Sequence, residues 1–148
     1  MPSLVNISEA ASLGLHTMAI LAKSDDRRLT NREVAESLGA SANHLAKVMP
    51  RLAKVGLVTS IRGPQGGFAL GKPAKTVTLL EIYEAIEGPV DKSGCLFHHS
   101  ICDGGGCMLG SVVQSAHRQL RDFLERTTLE ELTTDVEPAK QNAIELNL

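Results

Sequence analysis

From Ser8 to Ala22 the apolar residues Leu13, Leu15, Met18, Ala19, Leu21 and Ala22 crowd together, which predicts a largely buried helix stopped by the polar run Lys23 to Arg28. Thr30 and Glu33 are then spaced for a capping box, with Leu29 and Val34 as its hydrophobic staple. A short helix is expected from Asn31 to Leu38, and Gly39 supplies its stop because glycine tolerates the left-handed backbone. Ser41 has the side chain to cap a third helix, whose Leu45, Val48, Met49, Leu52 and Val55 follow the i, i+3, i+4, i+7 spacing of one buried face. His44, Lys47, Arg51 and Lys54 occupy the other side. Pro50 lies inside this helix and removes the bond to Ala46, which predicts a bend or an early end.

After Gly56 the pattern changes. Leu57 to Arg62 and Phe68 to Leu70 read as two short strands around the glycine-rich turn Gly63-Pro64-Gln65-Gly66-Gly67. Thr78 and Glu81 form a second capping box, opening a helix that ends at Gly88-Pro89. Residues 88 to 107 are a loop carrying glycines and cysteines. Beyond it Leu109, Val112, Val113, Ala116, Leu120, Phe123, Leu124 and Thr127 trace one helical stripe over about five turns, as expected of a helix that packs on a partner. Thr128-Leu129-Glu130-Glu131 restarts a short helix. The expected fold class is mainly α with a small β-hairpin: a winged helix-turn-helix plus a long carboxyl-terminal dimerisation helix. Its parts are residues 1–76, a DNA-binding region; 77–133, the cysteine loop and dimerisation helices; and 134–148, a polar tail expected to be partly disordered.

Composition sharpens this picture in two ways. A chain of 148 residues, 43% hydrophobic, is long enough for one core with an appendage. It has no apolar run approaching a membrane span and no signal-peptide pattern at Met1 to Ala11, so a cytoplasmic location is expected. The formal net charge of −2 conceals a division: residues 1–75 carry ten Lys or Arg against five Asp or Glu, and residues 76–148 carry five against twelve. A basic half can be drawn to a polyanion while the acidic half faces elsewhere.

Three helices followed by a hairpin, with a short turn between the second and third helices, is the order of a winged helix-turn-helix. The third helix would enter the major groove, offering Ser41, Asn43, His44 and Lys47 to base edges and phosphates and Arg51 to the backbone. In the hairpin, Arg62 stands beside a slim tip where Gln65 can hydrogen-bond and Gly66 lets the main chain come close, an arrangement suited to the minor groove.

Cys95, Cys102 and Cys107 are spaced C-x6-C-x4-C among Gly94 and Gly104 to Gly106, so three sulfurs can turn toward one centre. In a reducing compartment such a cluster reads as a metal or redox site: an iron–sulfur cluster, zinc, or free redox-active thiols. A cluster normally takes four protein ligands, and Glu9, His16, His98 and His99 are the candidates for the fourth. No nucleotide loop or paired catalytic base is present, so an enzyme is not expected.

Several segments together resemble the IscR and NsrR family of winged-helix regulators. They are Ser12-Leu13-Gly14-Leu15-His16, Ser41-Ala42-Asn43-His44-Leu45, the stretch from Gly56 to Leu70, Ile86-Glu87-Gly88-Pro89, and the three-cysteine loop before a long helix. The likeness runs from about Leu4 to Leu132. It implies a homodimer paired through the long helix, operator DNA bound by the third helix and wing, and a cluster held by Cys95, Cys102 and Cys107, of 4Fe-4S or 2Fe-2S type. The function expected is that of a sequence-specific transcription regulator, a repressor, whose DNA affinity follows nitric oxide, redox state or iron and cluster supply. The alternative is a zinc-stabilised or thiol-redox winged-helix protein without a cluster.

Overall fold

In the computed structural model, which describes residues 5–25, 27–90 and 107–135, the helices and the hairpin follow the expected order. The first helix, α1, spans Glu9–Ala22 and is capped by Ser8, whose hydroxyl accepts the Ala11 amide at 3.0 Å. Helix α2, Asn31–Leu38, opens on the complete Thr30/Glu33 capping box and stops at Gly39, which sits at φ 61°. Both ends follow from local chemistry: the box satisfies two orphan amides, and a left-handed glycine satisfies the last carbonyls.

Helix α3, Ala42–Lys54, differs from expectation at two points. Ser41 occupies the N-cap position, but its hydroxyl makes no capping bond; it stays on the exposed surface. Pro50 neither ends the helix nor shortens it, since α3 runs on to Lys54. Pro50 and Ala46 are both exposed, while Leu45, Val48, Met49 and Leu52 are buried on the other side. A proline costs about 3 kcal/mol inside a helix, and burying a side chain of this size returns roughly 1.5–3 kcal/mol each. The packed face therefore outweighs the missing hydrogen bond.

Strand β1 (Val58–Ile61) pairs antiparallel with β2 (Gly67–Leu70), Val58 opposite Leu70 and Ile61 opposite Gly67. Leu29 adds a short third rung, exchanging two main-chain bonds of 2.9 and 2.7 Å with Phe68. This rung anchors the wing to the chain entering α2, a contact of distant residues that no local pattern announces.

Helix α4 (Leu79–Glu87) opens on the Thr78/Glu81 capping box and buries Leu79, Leu80, Ile82 and Ile86 in the same core as the preceding helices. It packs on α1 at Gly14, where an added Cβ would stand 3.0 Å from the Ile86 side chain. Helix α5 (Met108–Arg126) is the long helix, and α6 (Leu129–Asp135) folds back beside the start of α4 through a bridge between Thr78 and Thr128. Leu129 is fully buried there. Much of α5 projects beyond the core, leaving Leu109, Val112 and Phe123 more than half exposed. Among the described residues no helix is long and apolar enough to cross a membrane. The expected tail at 134–148 falls largely outside the described residues, as do Cys95, His98, His99 and Cys102.

Candidate nucleic-acid interface and cysteine segment

At about 100° per residue, the buried face of α3 at Leu45, Met49 and Leu52 fixes which side chains point away from the core. The outermost ridge consists of Asn43, Lys47, Pro50 and Lys54, all exposed. Lys54 and Pro50 were not among the candidates drawn from the sequence, although the same periodicity places them on this ridge. Lys47 and Lys54 have no ion-pair partner among the described residues. By contrast, Arg27 pairs with Glu33 and Arg32, on α2, pairs with Glu36, at 2.7 and 2.8 Å. The positive charge free to meet phosphate therefore lies on α3 rather than on α2.

His44 and Arg51 sit on the flank of α3 instead. His44 Nδ1 lies 3.2 Å from Glu9 Oε1 at the start of α1, and Arg51 Nη1 donates to the main-chain carbonyl of Ile86 at 2.8 Å. With Lys47 they line a shallow groove of about 290 Å³ between α3 and the beginning of α1. Glu9 thus faces α3, while His16 bonds within its own helix to the Ser12 carbonyl at 2.7 Å.

On the wing, Arg62, Gly63, Pro64 and Gln65 are exposed at the tip, and Arg62 also has no ion-pair partner among the described residues. Gly66 closes the turn, its amide donating to the Gly63 carbonyl at 2.9 Å. A Cβ at Gly66 would fall 2.2 Å from the Ile61 carbonyl oxygen, so only glycine fits the tip as folded. Between the wing and α3 runs an open groove of about 570 Å³ whose walls include Asn31, Pro50, Arg62 and Gly66. Helix ridge, wing tip and intervening groove form a surface that can follow a duplex, the helix in one groove and the tip at the next.

Of the three cysteines, Cys107 alone falls within the described residues. It caps α5, its sulfur accepting the Gly110 amide at 3.2 Å, and it is exposed. Among the described residues no three His, Cys, Asp or Glu side chains gather in a geometry that could hold a metal.

A helix-turn-helix with an anchored wing and an outward row of unpaired cations defines a DNA-binding transcription regulator. The chain matches the Rrf2 family, described as iron-dependent transcriptional regulators, over residues 7–135, and it belongs to that family. It is 33% identical over 105 residues to the HTH-type transcriptional regulator IscR of Pectobacterium atrosepticum and likewise to that of Klebsiella pneumoniae, alignments covering 71% of this chain. They span 64% of those relatives, just under two thirds of their length. Among solved structures it is similar to CymR, the global cysteine regulator of B. subtilis, with 25% identity, a TM-score of 0.75, and coverage of 90% of this chain and 100% of that one. The oxidized form of Staphylococcus aureus CymR is 27% identical with a TM-score of 0.73, covering 90% and 99% of the two chains. IscR of T. potens, at 22% identity and a TM-score of 0.73 with 93% and 92% covered, shares the fold. These relatives are transcription regulators, not enzymes.

Proposed function

We propose that this regulator is a homodimeric repressor whose grip on operator DNA depends on an iron–sulfur cluster held by Cys95, Cys102 and Cys107, with Glu9, His16, His98 or His99 as fourth ligand. The observation that carries the reading is the position of Cys107 at the head of α5. That helix leaves Leu109, Val112, Leu120 and Phe123 exposed, an apolar stripe suited to a second copy of the chain. Cys107 fits the ligand role, being exposed, with a soft sulfur that accepts a main-chain amide as ligating thiolates do. When bound, the cluster supplies a centre for soft thiolates that nitric oxide, oxygen or iron loss can disrupt.

The chain's own part is mechanical. Residues 88–107 join the end of α4 to the head of α5, and α4 packs its buried face on α1 and the α3 layer. Drawing three thiolates together constrains that connection, and with it the spacing of the two reading helices in a dimer, which half-sites roughly 34 Å apart demand. A coupling of about 1–3 kcal/mol would change DNA affinity 5- to 150-fold. In the reading of the contacts, Ser41, Asn43, His44 and Lys47 meet bases and phosphates, Arg62 enters the minor groove, and Gln65 and Gly66 line its approach. Residues 1–76 are the DNA-binding part, and 77–133 carry the cysteine segment and the dimer surface.

A second reading, a thiol-redox regulator without a cluster, is supported by the likeness to CymR, a cysteine regulator for which an oxidized form is described. One experiment separates them. Protein purified without oxygen is assayed for visible absorbance, iron and sulfide, and its binding to a duplex enriched from a random library is compared before and after cluster removal. A brown protein with weaker binding after removal supports the cluster reading; a colourless, iron-free protein, or equal binding in both states, overturns it.

A further inference from the structure

We propose that Arg51 is a positioning residue, which seats the reading helix on the end of α4, rather than a contact to DNA phosphate. The Ile86 carbonyl lies in the last turn of α4, where the final carbonyls of a helix have no partner of their own. The amide four residues later, that of Val90, is turned away to Glu84 Oε1 at 3.1 Å. Arg51, 35 residues earlier in the chain, supplies the missing donor at 2.8 Å. A guanidinium at a helix carboxyl end is also favoured by the helix dipole.

The same residue of α4 is gripped from its other end. The Ile86 side chain is buried, and it lies within contact of the Cβ position of Gly14 in α1, where Val48 of α3 also approaches. Two further polar links close the junction: the Ser8 hydroxyl donates to Glu87, and His44 meets Glu9. The angle at which α3 leaves the core is thus set against the end of α4, immediately before the cysteine segment. Only the head group of Arg51 bridges α3 to that carbonyl.

The inference rests on α3 being the reading helix, and the test keeps the two apart. The full chain, wild type and Arg51→Ala, is titrated over a range of salt with a duplex enriched from a random library by the wild-type protein, and with a scrambled duplex of the same length. A phosphate contact strengthens both duplexes alike, and its loss lowers the salt slope by about one. Loss of a positioning residue weakens sequence reading while leaving phosphate neutralisation intact. Arg51→Ala is expected to weaken the enriched duplex about 10-fold and the scrambled duplex by less than about twofold, with the salt slope unchanged. Lys47→Ala, on the outer ridge, is expected to lower the slope. Arg51→Met keeps the apolar stem and separates loss of the head group from loss of packing; it is expected to behave as Arg51→Ala does. Melting curves place every measurement below the unfolding transition. Equal weakening of both duplexes with a reduced slope, or no change in either, overturns the assignment. A wild-type protein that does not distinguish the two duplexes overturns the reading of α3 itself.

Discussion

Replacing Gly66 by alanine tests how far the wing tip depends on a main chain with no side chain. The added Cβ would meet the Ile61 carbonyl oxygen at 2.2 Å and the Gly63 oxygen at 2.9 Å. The first is roughly 1 Å inside ordinary contact, and both obstacles are backbone, so no side chain can swing aside. The turn must open, sacrificing the 2.9 Å bond from Gly66 to Gly63. That bond contributes about 1 kcal/mol, and an overpacked site adds about 1–3 kcal/mol. Because the tip is exposed and can relax, about 2 kcal/mol is the expected cost, a fall of about 4–8 °C in melting midpoint for a chain of this size. Gly63 provides the contrast: it has φ 115° but no heavy atom within 4 Å of its Cβ position. Gly63→Ala therefore pays only for a backbone conformation that other residues avoid, about 1–3 kcal/mol. Thermal melts measure both costs, and DNA titration measures the consequence, since a displaced tip carries Arg62 away and weakens the enriched duplex by about 10-fold. A Gly66→Ala protein with the wild-type melting midpoint and DNA affinity would refute the steric reasoning.

Four further outcomes are expected. Leu52→Ala removes a fully buried side chain from the inner face of α3, and urea unfolding should show a loss of about 2–5 kcal/mol; a smaller loss means that the site collapses. Thr30→Ala removes the hydroxyl that accepts the Glu33 amide and should cost about 1 kcal/mol. The Thr30 main-chain amide first, then its hydroxyl, hold the Glu33 carboxyl below the ordinary carboxylate range. This contribution is complete above the unfolded-state value and is lost as pH falls through the depressed folded one. Glu33→Gln should accordingly flatten the acid side of the stability profile, and an unchanged acid limb would count against the cap. Cys102→Ala should abolish visible absorbance and bound iron while the melting of the winged-helix part persists; a variant that keeps full iron would remove Cys102 from the ligand set.

The order of helices and hairpin was legible because it rests on short-range chemistry. The capping boxes at Thr30 and Thr78, the stop at Gly39 and the apolar stripe of α3 each involve residues within a turn or two of one another. Pro50 does not bring the expected early end because its cost is local while its compensation, the buried Met49 and Leu52, comes from packing. Ser41 was misjudged because a suitable side chain at an N-cap does not oblige the rotamer, least of all where solvent can serve the amides.

Residue types and spacing alone determined the helix-turn-helix order, the basic half and the gathering of three cysteines in one segment. Only the tertiary structure decided which cations of α3 find a partner. Arg51 and Lys47 are equivalent in sequence, both basic and both on the polar side of α3, yet packing against α4 turns Arg51 to the Ile86 carbonyl and leaves Lys47 on the exposed ridge. The physical reason is that periodicity fixes a side chain's angle about its own helix, whereas its partner depends on which distant carbonyl the fold brings within hydrogen-bond reach.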